Sequence, residues 1–166
     1  MDQRVLRQHK REPKVLADIP TFSPLKKNTL PGQYRRLGRP RAHGSKLLPV
    51  SNSHSVFFIW RDGDIFTDRH FYGYLVDCLP GEKYRTLLEF HWHPSHKGFH
   101  CVTPCRSDVD YTGRMLTHCQ ELNLTTRPHL DPAKDDDRLA LIEFFCQICG
   151  IRIQNRNDDR SGLLWN

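Results

Sequence analysis

The stretch KYRTLLEFHWHPSHKGFHC, from Lys83 to Cys101, contains two runs in which polar and apolar residues alternate, joined by the short segment PSHKG. A period of two is typical of β-strands that bury one face, so the stretch predicts a β-hairpin. A four-residue loop with Pro94 opposite Phe99 places His93 opposite His100 and separates two faces. One face carries Glu89, His91, His93 and His100, and the other carries Leu88, Phe90, Trp92, Phe99 and Cys101.

Two segments before this hairpin, SVFFIW (residues 55–60) and IFTDRHFYGYLVDC (residues 65–78), are rich in aromatic and β-branched residues. The turn signal RDGD separates these two segments, and LPGE separates the second from the hairpin, which predicts four antiparallel strands in chain order. If Leu79 lies opposite Glu82, then His70 lies opposite His91 and Tyr72 opposite Glu89. The polar face then gains His70, Tyr72 and Arg85.

The segment LDPAKDDDRLALIEFFCQICG, residues 130–150, predicts the clearest helix. Asp131 is a suitable cap, Pro132 suits the first helical position, and Gly150 can end the helix. Its apolar stripe consists of Leu139, Ile142, Phe145, Cys146 and Cys149. One such stripe requires one sheet face, so we expect an α+β fold with a four-stranded antiparallel meander packed by the C-terminal helix.

Residues 1–50 differ from the rest in charge and proline content. They contain twelve Lys and Arg residues against three acids, and six of the eleven prolines. Proline interrupts helices and central strands, so we expect an extended basic arm before a small α+β domain at residues 51–166. Such an arm is typical of polyanion binding.

Within the arm, the core Gly38-Arg39-Pro40 is similar to the AT-hook, a short segment that places arginines in the DNA minor groove. General phosphate binding is the alternative. The candidate nucleic-acid-binding residues are Arg35, Arg36, Arg39, Arg41, Lys46, Arg85 and Lys97.

The histidine-rich face is a candidate catalytic site. The residues concerned are His91, His93, His100, Glu89, His70 and Tyr72. Imidazole titrates near neutral pH, so one histidine can take a proton from a ribose hydroxyl or water while a second protonates the leaving oxygen. Arg85 or Lys97 would hold the phosphate charge. A divalent cation on His91 and His93 and a solvated binding surface are the alternatives.

Four cysteines have the spacing of a structural zinc site: Cys101, Cys105, Cys146 and Cys149. Cysteine also packs as a small apolar residue, and Cys146 and Cys149 fall on the helix stripe, so buried thiols are the alternative. Zinc is thus the one cofactor that the sequence suggests.

These features predict a nucleic-acid-associated protein with DNA or RNA as partner. One alternative is a histidine-dependent nuclease of the small-toxin type, acting on RNA or single-stranded DNA. The other is a non-catalytic subunit of a protein or ribonucleoprotein assembly, contacting its partner through the arm and the terminal residues Leu163, Leu164 and Trp165. No run of about 18 apolar residues and no secretory signal is present, so we expect a cytoplasmic location without membrane insertion.

Overall fold

The computed structural model describes residues 4, 8–9, 11–26, 30, 32–37, 40–81, 83–94, 98–102, 114–116 and 130–154. Its strands are β1 (Lys14–Leu16), β2 (Ser23–Pro24), β3 (Ala42–Gly44), β4 (Leu48–Pro49), β5 (His54–Arg61), β6 (His70–Leu79), β7 (Lys83–His93), β8 (Gly98–Val102), β9 (Arg114–Leu116) and β10 (Ile151–Ile153). The helix α1 spans Asp135–Cys149, and two 3-10 helices span Gly32–Leu37 and Phe66–Asp68.

The main sheet is antiparallel and has the strand order β2-β3-β5-β6-β7-β8-β9, with β4 also paired to β5. A helix and a multi-stranded antiparallel sheet confirm the α+β class. The sheet is larger than the predicted four-stranded meander, because residues 1–50 supply β2, β3 and β4 and residues 114–116 supply β9. The division at residue 50 stays a prediction, although strands from both sides of it share this sheet.

A second, two-stranded sheet joins the two ends of the described chain. Strand β1 runs parallel to β10, with Val15 opposite Arg152. The amide of Val15 also donates to the carbonyl of Val50, at 2.8 Å. The N-terminal segment is therefore held both by the segment after α1 and by the segment before β5.

Helix α1 packs on one face of the main sheet. The Phe145 ring meets Phe58 edge-on with centroids 5.1 Å apart, and it lies over Gly73, where a Cβ atom would be 2.6 Å from the ring. The apolar face of α1 that this packing buries comprises Leu141, Ile142, Phe144, Phe145, Cys146, Ile148 and Cys149. The predicted stripe is thus largely confirmed and is wider than expected.

The helix begins at Asp135, three residues after the predicted first position at Pro132. Residues 131–134 form a turn instead, in which the Lys134 amide donates to the Asp131 carbonyl at 2.9 Å. The Asp131 carboxylate accepts from Arg69 at 2.5 Å, so this side chain joins the turn to the sheet rather than capping α1. Gly150 ends the helix in the left-handed region, as predicted (φ 65°).

The other face of the sheet carries a second apolar cluster. Phe57, Ile59, Tyr74 and Val76 are buried there together with Leu30, Tyr34 and Ala42. The predicted arm therefore folds partly back onto the sheet, because its few apolar residues have a sheet face to cover. Among the described residues, no helix has the length and apolar character needed to cross a membrane.

Candidate functional site

The face of the sheet opposite α1 encloses a cavity of about 560 Å3. The 3-10 helix Gly32–Leu37 contributes one wall and the strands β3, β5, β6 and β7 contribute the others. The lining residues are Gln33, Tyr34 and Leu37 of the 3-10 helix, Ala42, Ile59 and Arg61 of β3 and β5, His70, Tyr72 and Tyr74 of β6, and Thr86, Glu89, His91 and His93 of β7. Five of the six predicted catalytic residues thus line one cavity.

Two of these histidines contact each other directly. The Nδ1 atoms of His70 and His93 are 2.6 Å apart, which is a hydrogen bond in which one ring donates and the other accepts. A neutral imidazole has one N–H and one acceptor nitrogen. The Nε2 atom of the donating ring is therefore an acceptor, and the Nε2 atom of the accepting ring carries a proton. The two Nε2 atoms of the pair thus differ, one being an acceptor and the other an N–H donor.

The third histidine is paired with a carboxylate. His91 Nε2 donates to Glu89 Oε2 at 3.1 Å, which assigns the His91 proton to Nε2 and makes Nδ1 the acceptor. The Tyr72 ring packs edge-on against both His91 and His93, at centroid distances of 5.1 Å and 5.3 Å. Because Tyr72 contacts both rings, it limits their freedom to rotate.

Tyr34 attaches the 3-10 helix to the sheet beside these histidines. Its hydroxyl is 2.6 Å from Thr86 Oγ1, and its ring packs on Phe57 and Tyr74. Burial raises the pKa of the Tyr34 phenol, so the hydroxyl keeps its proton well above neutral pH. This wall of the cavity is consequently fastened by both a hydrogen bond and an aromatic contact.

Arg61 is the arginine among the described lining residues of the cavity, and the prediction that Arg85 shares the histidine face is wrong. Strand β7 has an irregularity at Leu87, since Leu75 pairs with Leu88 but Val76 pairs with Thr86. The extra residue reverses the alternation, so Thr86 rather than Arg85 lies with His91.

Arg85 instead forms an ion pair with Asp77 at 2.5 Å. Arg61 lines the cavity, and its buried Nε has no hydrogen-bond partner among the described residues.

The strand registers differ from prediction by two residues. His91 lies opposite Tyr72 on β6, where His70 was expected. On β8 it is His91, not His93, that lies opposite His100. A shift of two residues preserves the faces, because alternation has a period of two. The predicted assembly of histidines on one face therefore survives the wrong register. Only the backbone of His100 is described.

The predicted nucleic-acid-binding residues have several different locations. Arg35 and Arg36 lie on the 3-10 helix that borders the cavity, and only their backbone is described. Arg41 is exposed and pairs with Asp64 at 2.6 Å, and Lys46 is exposed. Arg39 and Lys97 lie outside the described residues.

The cysteine zinc site stays a prediction. Cys146 and Cys149 are buried among the apolar residues of α1. Burial raises the pKa of the Cys146 thiol to about 12, so it is protonated at neutral pH. Cys101 pairs through its backbone with Phe90, whereas Cys105 and the terminal residues Leu163, Leu164 and Trp165 lie outside the described residues.

A second polar cluster lies at the end of the sheet face that packs on α1. Within the described residues, His9, Glu12 and His54 bring one donor atom each to within 4.8 Å of one another, so the group could hold a metal ion. His54 Nε2 is 2.8 Å from His9 Nδ1, and His54 Nδ1 is 3.3 Å from Glu12 Oε1.

Burial shapes the electrostatics of this cluster. Removal from water lowers the pKa of both His9 and His54, so both rings are neutral near pH 7. Hydrogen bonding to the Ser53 hydroxyl lowers the pKa of Glu12. The cluster therefore presents two neutral imidazoles and one carboxylate.

Sequence reasoning missed several residues of both sites. Tyr34 is an aromatic residue in a basic, proline-rich segment, and that contrast was the available signal for it. Arg61, His9 and Glu12 carried no signal, because their neighbours in space are distant in sequence. Comparison with protein-family models, with curated proteins and with solved structures gave no match to this chain.

Proposed function

We propose that this protein binds RNA and cleaves its phosphodiester bonds in the cavity, through acid–base catalysis by histidines. The observation that carries the proposal is the hydrogen-bonded pair His70–His93 beside His91–Glu89 in one cavity that also contains Arg61. Three imidazoles, a carboxylate and a guanidinium are sufficient for acid–base catalysis at a phosphate.

His91 is the candidate general base. Its Nδ1 acceptor can take the proton of a ribose 2′-hydroxyl, and the Glu89 carboxylate stabilises the imidazolium that forms. The 2′-oxygen then attacks phosphorus, forming a new P–O bond as the bond to the 5′-oxygen breaks. This chemistry needs no added nucleophile, which is why RNA is the substrate.

The His70–His93 pair is the candidate general acid. In its singly protonated form, an imidazolium hydrogen-bonded to a neutral imidazole, the pair passes an N–H proton to the departing 5′-oxygen and is left as two neutral rings. The centroids of the His91 and His93 rings are 5.8 Å apart, so both can reach oxygens of one phosphate. Arg61 supplies positive charge for the phosphorane. The products are a 2′,3′-cyclic phosphate and a 5′-hydroxyl, so atoms and protons balance.

The basic charge of residues 1–50 supports RNA as the ligand. Residues 1–50 have a formal charge of +9, from twelve cationic and three acidic residues. The 3-10 helix that borders the cavity carries Arg35 and Arg36 between the lining residues Tyr34 and Leu37. Positive charge beside a cavity attracts a polyanion and makes its binding sensitive to salt.

The test is cleavage of an end-labelled single-stranded RNA in the presence of EDTA. We expect cleavage with cyclic-phosphate ends, and a loss of about 100-fold or more in His91→Ala and in His93→Ala. His43→Gln is the matched control, because His43 stacks on Trp60 on the other face of the sheet. Circular dichroism verifies the fold of each variant.

A substrate with one 2′-deoxy position separates attack by the ribose 2′-hydroxyl from attack by water. Cleavage at that position should stop, while cleavage elsewhere in the same strand continues. Unchanged cleavage in both histidine variants would refute catalysis by this cavity. Salt-sensitive RNA binding without any cleavage would leave a binding protein in its place.

A further inference from the structure

The cluster at the end of the helix-packed face joins two segments of the chain that are distant in sequence. His9 and Glu12 precede β1, and His54 is the first residue of β5. His54 is completely buried, although a buried imidazole has to satisfy two ring nitrogens. We propose that His9, Glu12 and His54 form a zinc site that fastens the N-terminal segment to the sheet.

The donor set suits zinc. Two imidazoles and one carboxylate are common ligands of Zn2+, which leaves a fourth position for water. The 2.8 Å between His9 Nδ1 and His54 Nε2 must open to about 3.3 Å for two Zn–N bonds in tetrahedral geometry. The side chain of Glu12 is 39% exposed, so it has room to change rotamer and reach an ion.

Serine hydroxyls orient two of the three ligands. Ser51 and Ser53 contact His54 Nδ1 at 2.9 Å and 3.0 Å, and Ser53 also donates to Glu12 Oε1 at 2.8 Å. His54 can therefore offer Nε2 to an ion while Nδ1 keeps its hydroxyl partners. Hydrogen bonds of this kind position histidine ligands in zinc proteins and fix their tautomer.

The charged neighbours are consistent with an ion of moderate affinity. Asp77 lies opposite His54 on β6, and its ion pair with Arg85 nearly cancels the charge of both. Lys14 is buried and donates to the backbone carbonyls of His9 and Glu12, the latter at 2.6 Å. Its ammonium opposes a dication, whereas the Glu12 carboxylate favours one.

This site is separate from the proposed catalytic cavity. His54 begins the same strand as Val56 and Phe58, which pack in the cluster beneath α1, whereas the cavity lies on the opposite face. A zinc ion here would link residues 45 positions apart, from His9 to His54. It would therefore hold β1 in place rather than take part in cleavage.

The test uses the full chain stripped with EDTA and then supplied with zinc sulphate. We expect one zinc ion per chain after gel filtration, and an increase in the thermal midpoint on adding zinc. His9→Gln and Glu12→Gln should each lose the bound ion and the thermal shift. Both side chains are partly exposed, so the variants should fold, which circular dichroism checks.

Cobalt(II) provides a readout that does not depend on stability. Its visible absorption bands should appear with the wild type and weaken in both variants. The controls are Cys146→Ser and the double variant His91→Ala/His93→Ala, which should keep the ion. The proposed zinc site would be refuted if His9→Gln and Glu12→Gln kept the zinc, or if only a control variant lost it. It would also be refuted if the wild type bound no zinc.

Discussion

The substitution Gly73→Ala tests which face of the sheet packs on α1. A Cβ atom at Gly73 would lie 2.6 Å, 3.0 Å and 3.1 Å from three atoms of the Phe145 ring. Ordinary contacts begin at 3.4 Å, so the ring would have to move by about 0.8 Å at its nearest atom. Phe145 is fully buried against Phe58 and Phe90 and cannot move freely.

Overpacking of this kind costs about 1–3 kcal/mol. For a chain of this size, that lowers the thermal midpoint by roughly 2–12 °C. The free energy of unfolding would be measured by urea titration for wild type, Gly73→Ala, Phe145→Leu and the double variant. Since leucine removes ring atoms, Gly73→Ala should cost less in the Phe145→Leu background, with a coupling of about 0.5–3 kcal/mol.

The neighbours of Gly73 connect this test to the candidate site. Tyr72 and Tyr74 line the cavity, so Gly73 between them must face α1. An unchanged stability in Gly73→Ala, within about 0.5 kcal/mol, would mean that Phe145 does not cover this position. The assignment of the histidines to the face away from α1 would then fail as well.

Three further substitutions or reagents test other contacts. Tyr34→Phe should lower the free energy of unfolding by about 1 kcal/mol at pH 7 in urea titrations, because Thr86 loses its hydrogen bond. Because burial raises the pKa of Tyr34, this phenol stays protonated in the folded protein at a pH where it ionises in the unfolded chain. The free energy of unfolding should therefore fall above about pH 10, and it should fall less in Tyr34→Phe. Gly81→Ala should lower the free energy of unfolding by about 1 kcal/mol in the same titration, because φ is 76° at this position. Nothing lies near the added Cβ, so the loss would come from the backbone conformation alone, and an unchanged stability would contradict that turn geometry. Iodoacetamide should modify the half-buried Cys78 before Cys146, as peptide mass spectrometry would show; early modification of Cys146 would contradict its burial.

Much of the candidate site was predictable, and local alternation is the reason. Glu89, His91 and His93 alternate along the chain with Phe90 and Trp92. A strand with this pattern has two distinct faces regardless of its partners. For that reason His70, Tyr72 and Glu89 were assigned to the correct face, even though the predicted register differed from the observed one by two residues. The helix was equally recognisable, since its stripe and Gly150 are local signals.

Other features depended on contacts between distant segments. The extra residue at Leu87 exchanges Arg85 for Thr86 on the histidine face, and no residue type marks an irregularity there. Asp131, predicted to cap the helix, accepts instead from Arg69, 62 positions earlier, and α1 begins at Asp135. Neither feature belongs to a single segment, since each depends on the strand or side chain with which that segment pairs.

Alternating side chains along β7 and the periodic stripe along α1 are properties of short segments, so composition and order were enough to establish an α+β fold with a histidine-rich face. Closure of that face into a cavity required Tyr34 to reach Thr86, 52 positions away. Likewise, His9 and Glu12 meet His54 only once the N-terminal segment has folded against the sheet. Both sites are created by long-range packing, because burial and hydrogen bonding, not sequence distance, decide which of these side chains become neighbours.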